Sequence, residues 1–175
     1  MNAGDGPAPD APGTRAAEVL IGREAWVQAL RTALTALPAL APAPREVLLW
    51  GSDFGEWPLD EPAVHAALSL WLREPGRRLV LIGHDFDATA RRHPRLTRWR
   101  RDWSHRIEAW RPTQPVQGEP MGLLLCGERC WQLLDNVHWR TRIVSDAPML
   151  RAWREQSDAC LQRCEPCWPP TTLGL

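Results

Sequence analysis

The sequence predicts an α/β fold: a mixed β-sheet with a parallel βαβ core and an antiparallel hairpin edge, with helices on both faces. Two short apolar runs, residues 47–50 and 79–82, are typical of buried strands, and an amphipathic helix lies between them. Strand, helix and strand in this order form a right-handed unit with parallel strands. The hairpin is predicted at residues 122–134, where two apolar runs flank a short turn that contains glycine.

The elements around this core follow from apolar spacing and from helix-terminal residues. A short edge strand is expected at residues 19–21, and the helix after it keeps its apolar spacing until Pro38. Asp60 stands where the helix between the two core strands should have its N-cap. Asp87 is expected to cap a third helix, which Pro94 interrupts because proline disfavours a helical residue before it.

The remaining elements complete the domain. A third strand is expected at residues 106–110, and Asp146 opens a last helix after the hairpin. The chain then divides into a disordered leader rich in glycine and proline, a single α/β domain and a proline-rich tail, at residues 1–15, 16–164 and 165–175 respectively.

Composition limits the classes of function. All 21 basic residues are arginine, which excludes Schiff-base lysines, Walker-type phosphate lysines and lysine general bases. The sequence has no run typical of a signal peptide or a membrane span, so we expect a cytoplasmic protein without membrane association. Five cysteines, an odd number, favour reduced thiols or a metal site over a disulfide framework.

Nearly identical tails follow the two core strands: Gly-Ser-Asp-Phe at residues 51–54 and Gly-His-Asp-Phe at residues 83–86. Open α/β sheets bind ligands at the carboxyl ends of their strands, so the tails predict a ligand site. Its candidate residues are Ser52, Asp53, His84, Asp85, Asp87 and Arg111. One hypothesis assigns Asp53, His84 and Asp85 to a metal-assisted phosphohydrolase or phosphotransferase. The alternative makes Asp87 a helix cap and leaves the other side chains in solvated loops.

A second candidate surface is strongly basic. The net charge of the chain is zero, but residues 91–111 contain eight arginines against Asp102 and Glu108, a local charge of +6. The candidate anion-binding residues are Arg91, Arg92, Arg95, Arg98 and Arg101. With the tryptophans between them, they predict binding of an anionic ligand or nucleic acid. The alternative is a solvated helix face above buried tryptophans.

The C-terminal cysteines raise a third hypothesis, a cysteine-based zinc or iron–sulfur protein. Cys160, Cys164 and Cys167 have the C-x3-C-x2-C spacing that radical-SAM enzymes use for an iron–sulfur cluster. Cys160 and Cys164 also continue the apolar stripe of the last helix, so we expect core packing and no cofactor. The alternative is a zinc site that draws on Cys126, Cys130 or His138.

Five segments stand out for their order and sequence along the chain: Trp-Gly-Ser-Asp-Phe at residues 50–54, the strand at 79–82, Arg-Ile-Glu-Ala-Trp-Arg-Pro at 106–112, the hairpin at 122–134, and Leu-Arg-Ala-Trp-Arg-Glu-Gln-Ser at 150–157. Together they resemble a phospholipase-D-like domain, of an uncharacterised bacterial branch that is sometimes joined to acetyltransferase domains. The resemblance covers roughly residues 18–160. It implies a single phospholipase-D-like half with a pocket at the strand ends.

The resemblance also implies that the catalytic residues are missing. Active members carry H-x-K-x4-D on the strand that opens the hairpin, and its histidine is the nucleophile. The aligned positions here are Glu119, Met121 and Cys126, so none is carried over as catalytic. We therefore expect a pseudoenzyme that binds an anionic ligand, nucleic acid or a protein partner. Because active members join two motifs from two halves or two subunits, a homodimer is also considered.

Overall fold

The computed structural model describes residues 17–169, which fold around one eight-stranded sheet. Its strands are β1 (Glu18–Leu20), β2 (Glu46–Gly51), β3 (Arg78–Ile82), β4 (Ile107–Pro112), β5 (Gly122–Cys126), β6 (Arg129–Asp135), β7 (Arg140–Val144) and β8 (Cys164–Pro166). Its helices are α1 (Arg23–Ala36), α2 (Pro62–Leu72), α3 (Phe86–Arg92), α4 (Pro94–Asp102) and α5 (Ala147–Leu161). A short 3-10 helix, Leu37–Ala39, continues α1.

The sheet is mixed, and its spatial order is β1-β7-β6-β5-β2-β3-β4-β8. β2, β3 and β4 pair in parallel, and α2 connects the first two of them. β5 pairs antiparallel with β2 and continues through β6 and β7 as a meander. The predicted α/β fold, with a parallel βαβ core and an antiparallel hairpin, is confirmed.

The strands of the parallel core are buried on both faces. Leu79 and Leu81 of β3 belong to the larger core cluster, whereas Val80 and Ile82 belong to a smaller one on the opposite face. Buried residues of α1, α2, α3 and α4 contribute to the larger cluster, and α5 contributes to the smaller one. This arrangement explains why the strands are continuous apolar runs without alternation.

Two strands were not predicted from the sequence. β7 alternates arginine with Thr141 and Ile143, so its apolar signal is too sparse to identify a strand. β8 has only three residues and includes a proline, which is tolerated at a sheet edge. The other strands agree closely: β1 lies one residue before its predicted position, and the third strand is Ile107–Pro112 where residues 106–110 were expected.

The predicted helix caps are partly wrong. The N-cap of α2 is Glu61, and the Asp60 carboxylate instead accepts the backbone N–H groups of Arg95 and Leu96 in α4, at 2.7 and 2.9 Å. Asp85, and not Asp87, caps α3 by accepting the Ala88 N–H at 2.7 Å. The caps differ because a carboxylate satisfies any N–H group within reach, including one far away in sequence.

Asp146 caps α5 as expected, by accepting the Met149 N–H at 3.1 Å.

The predicted leader, residues 1–15, lies outside the described residues, and so do residues 170–175. The predicted tail begins inside β8, and its residues Cys167 and Trp168 pack against the larger core cluster. Within residues 17–169, no helix has the length and apolar character required to cross a membrane.

Candidate functional site

The two Gly-x-Asp-Phe tails meet at the carboxyl ends of β2 and β3. The backbone N–H groups of His84 and Asp85 both donate to the Ser52 carbonyl oxygen, at 3.0 and 3.2 Å. Phe54 and Phe86 are buried side by side, with ring centroids 5.9 Å apart. The tails therefore lie together, as predicted, at the edge of the sheet where ligands bind in open α/β folds.

Close packing accounts for much of the likeness between the tails. A Cβ atom on Gly83 would lie 3.0 Å from the Gly51 carbonyl oxygen and 3.0 Å from the Phe54 ring. These are contacts that only glycine avoids without a shift of the backbone. The glycine allows one tail to approach the other, and the two phenylalanine rings fill the space beneath the loops.

The polar side chains of the tails turn to different partners. Asp53 accepts the backbone N–H of Gly55 at 2.8 Å, and Asp85 caps α3. His84 donates through Nε2 to a carboxylate oxygen of Glu119, at 2.7 Å. Ser52 and Asp87 are exposed. The structure brings the backbones of the predicted site together, but Asp53, His84 and Asp85 each have a separate structural contact.

These contacts determine what the predicted carboxylate cluster can do. Within residues 17–169, no three His, Cys, Asp or Glu side chains are grouped so that they could hold a metal ion. Arg111 is half-buried on β4, and in this part of the chain no hydrogen bond or ion pair joins it to the polar residues of the tails. Asp53 and Asp85 are engaged in an Asx-type turn and a helix cap, which are local backbone roles.

Sequence reasoning missed two residues of this region. Glu119 lies in the segment before β5 and reaches His84, although 35 positions separate them in sequence. His93, at the junction of α3 and α4, is buried and donates through Nε2 to the Phe54 carbonyl oxygen at 2.6 Å. Neither contact has a local sequence signal, because both depend on how distant loops meet at the sheet edge.

The five predicted anion-binding residues are all exposed on α3 and α4, and we call them the arginine surface: Arg91, Arg92, Arg95, Arg98 and Arg101. Arg95, Arg98 and Arg101 recur every three residues and so share one side of α4. Within the described residues, the only ion pair of this surface joins Arg92 to Asp53, 3.9 Å apart, and the Asp60 carboxylate accepts the backbone N–H of Arg95. The arginine surface is therefore positive and adjoins the site loop.

The tryptophans among these arginines face the protein. Trp99 donates to the Ser69 hydroxyl at 2.7 Å and stacks on the His65 ring, with centroids 5.1 Å apart. Trp103 is half-buried and packs against the larger core cluster. Both side chains anchor the segment that carries the arginine surface, so base stacking on them would require them to leave these contacts.

The cysteines behave as core residues. Cys160 and Cys164 belong to the smaller core cluster, with sulfur atoms 3.7 Å apart, whereas Cys167 packs against the larger cluster on the opposite face. Burial raises the pKa of Cys164 to about 12 and that of Cys167 to about 11. Thiols of this kind are protonated at neutral pH, which disfavours nucleophilic chemistry, and within residues 17–169 the three thiols are not grouped as metal ligands.

Comparison with known proteins gives structural neighbours only. No family model matches the sequence, and no curated protein matches it. TrmBL2, an archaeal chromatin protein whose structure shows a novel mode of DNA binding, has a TM-score of 0.62 at 12% identity. That likeness covers 91% of this chain, which spans 57% of the length of TrmBL2. The likeness shows the fold alone.

A second neighbour is NucT from Helicobacter pylori, with a TM-score of 0.54 at 7% identity. The alignment covers 87% of this chain and 99% of NucT. At this identity the likeness shows the fold alone and does not test the phospholipase-D-like family expected from the sequence. Without a matching family model, the structural likeness does not extend to membership of that family.

Proposed function

We propose that this chain is a non-catalytic α/β domain of the phospholipase-D-like kind, and that it binds nucleic acid through the arginine surface. One observation carries the proposal. Five exposed arginines are concentrated on two consecutive helices of a chain with zero net charge, and within residues 17–169 only Arg92 among them forms an ion pair. A local positive field of this kind attracts the phosphate backbone without reading sequence.

The neighbouring structures favour nucleic acid over other anions. TrmBL2 is a chromatin protein with a mode of DNA binding of its own, and its fold resembles this one over most of the chain. Arginine is also well suited to bind the phosphates of nucleic acid, because its planar guanidinium forms paired hydrogen bonds with phosphate oxygens. We expect binding that depends strongly on salt and weakly on base sequence.

The non-catalytic part of the proposal rests on the position aligned with the nucleophilic histidine of the phospholipase D motif. That position holds Glu119, whose carboxylate accepts a hydrogen bond from His84 and lacks the nucleophilic nitrogen of an imidazole. Because the chain contains no lysine, the phosphate-binding lysine of that motif is absent as well. The competing hydrolase hypothesis would require Asp53 and Asp85 to leave their backbone contacts.

The test compares two charge-matched double variants. Arg95→Gln/Arg98→Gln removes two members of the arginine surface, and Arg140→Gln/Arg151→Gln removes two exposed arginines of β7 and α5. Binding to a fluorescent DNA duplex is measured by anisotropy between 50 and 200 mM salt. Each lost phosphate contact should reduce the slope of log K against log salt by about 0.9, so the first variant should lose about 1.8.

The control variant has the same net charge and should keep the wild-type slope. Equal losses in both variants would mean that overall charge, and not the arginine surface, attracts DNA. An absence of salt-dependent binding in the wild type would refute the nucleic-acid proposal and leave a protein partner as the alternative. Cleavage of a bis-aryl phosphodiester with added Mg²⁺, abolished by Asp85→Asn, would refute the non-catalytic part.

A further inference from the structure

Arg100 is the one arginine of α4 that points into the protein. The residue is only 5% exposed, and its Nε has no hydrogen-bond partner. No ion pair joins it to a carboxylate anywhere in residues 17–169. A guanidinium removed from water without a compensating charge is expensive, so such a group needs either a functional reason or a bound partner.

Aromatic rings hold this guanidinium in place. The Arg100 guanidinium carbon lies 4.6 Å from the centroid of the Trp168 ring, and Trp168 stacks in turn on Phe86, with centroids 5.3 Å apart. This cation–π contact orients the guanidinium but satisfies none of its N–H groups. Because the guanidinium is planar, a group that rests on a ring directs its N–H groups sideways, parallel to the ring.

Arg100 lines a surface cavity of about 340 Å³ between α4, β4 and the segment after β8, together with Trp110, Cys167 and Pro169. The carboxylate of Glu108 also borders the cavity, but it already accepts from Arg78 and from the Trp110 indole. The Cys167 thiol is neutral, because burial raises its pKa to about 11. None of these lining groups forms an ion pair or a hydrogen bond with the Arg100 guanidinium within residues 17–169.

A second guanidinium strengthens the positive character of this region. Arg111 of β4 also has a buried Nε without a hydrogen-bond partner, and it makes no ion pair within residues 17–169. In the sheet register Arg111 lies opposite Glu165 of β8, and Cys167 follows two residues later. Arg111 therefore adds positive charge at the same edge of the sheet as Arg100, with the Glu165 carboxylate on the neighbouring strand.

We propose that the cavity beside Arg100 is a binding site for a phosphate group, either inorganic phosphate or the phosphate of a nucleotide. Two N–H groups of one guanidinium match two oxygens of a phosphate, and a partly dehydrated site strengthens such bonds. The site is separate from the arginine surface. Arg95, Arg98 and Arg101 face solvent, whereas Arg100 faces the core. A substitution can therefore abolish binding at one site and leave binding at the other unchanged.

The experiment titrates inorganic phosphate and adenosine 5′-monophosphate into the full chain, by calorimetry and by thermal shift, at constant ionic strength adjusted with chloride. Three proteins are compared: the wild type, Arg100→Met and Arg98→Met. Methionine keeps an apolar stem of similar length under Trp168 and removes the charge. Arg98→Met removes an exposed arginine from the same helix and is the matched control.

The wild type and Arg98→Met should bind phosphate and show a raised Tm. Arg100→Met should bind about tenfold more weakly or worse, because hydrogen bonds to charged groups are lost. A response to both probes identifies phosphate itself as the ligand, and a response to the nucleotide alone identifies a phosphate monoester. An unchanged response in Arg100→Met, or no response in the wild type, overturns the proposal.

A measurement on the wild-type chain covers the case in which Arg100→Met does not fold. The Nε–H NMR resonance of Arg100 should shift on addition of phosphate, since this N–H group has no partner before binding. A resonance that stays in place overturns the proposal. Arg100→Met should also keep the wild-type salt slope for DNA, which distinguishes failure of this site from failure of the arginine surface.

Discussion

Gly51 and Gly83, the first residues of the two Gly-x-Asp-Phe tails, should respond in opposite ways to substitution by alanine. A Cβ on Gly83 would lie 3.0 Å from both the Gly51 carbonyl oxygen and the Phe54 ring, and 3.4 Å from the Phe86 ring. A Cβ on Gly51 would meet its nearest neighbour at 3.5 Å, which is ordinary van der Waals contact. Gly83→Ala therefore overpacks the site, whereas Gly51→Ala fits.

The magnitude follows from two contributions to the free energy of unfolding. Both substitutions reduce the entropy of the unfolded chain by a similar amount, about 0.4–1 kcal/mol, which cancels in the comparison. Forcing an extra methyl group into a packed core costs about 1–3 kcal/mol, and at Gly83 one obstacle is backbone that cannot rotate away. Gly83→Ala should therefore be about 1–3 kcal/mol less stable than Gly51→Ala.

Urea unfolding followed by tryptophan fluorescence measures this difference, since several of the 11 tryptophans are buried. For a chain of 175 residues, the expected loss corresponds to roughly 2–12 °C in Tm. The m-values of the two variants should agree, which would show that both remain native-like. Equal stability of Gly83→Ala and Gly51→Ala would refute the conclusion that close approach of the tails requires glycine at position 83.

Three further predictions follow from individual contacts. Asp60→Ala should lower the free energy of unfolding by about 0.5–2 kcal/mol in urea titrations, because α4 loses two capping hydrogen bonds. A variant as stable as the wild type would contradict the capping role of Asp60. The hydrogen bond from Arg31 lowers the pKa of Glu61, so the stability that this ion pair contributes is present above the ordinary pKa of 4.5 and is lost as pH falls. The difference in free energy of unfolding between the wild type and Glu61→Gln should therefore become smaller in acid. A difference that does not change with pH would exclude this linkage. Burial raises the pKa of Cys126 to about 11 and of Cys130 to about 12. A disulfide reagent at pH 8 should therefore modify these two thiols only after denaturation. Rapid modification of Cys126 or Cys130 in the native chain would show that they are accessible.

The sequence by itself determined the parallel core, the hairpin and the helices, because these depend on contacts that are local along the chain. Continuous apolar runs identify β2 and β3 as strands buried on both faces, and helical spacing identifies α1 and α2. Proline marks the break between α3 and α4 for a similarly local reason, since it restricts the residue before it. The position of the twin tails also followed, because parallel strands end at the same edge.

The group that each polar side chain contacts was decided only by the tertiary structure. Asp60 lies two residues before α2 in sequence but caps α4, and His84 pairs with Glu119; each contact spans 35 positions. Arg100 belongs to the basic run like its neighbours, but the helix turns it inward while Arg98 and Arg101 stay exposed. Apolar burial is periodic and can be read along one chain, whereas a hydrogen bond requires two groups within about 3 Å, a distance that only the assembled fold determines.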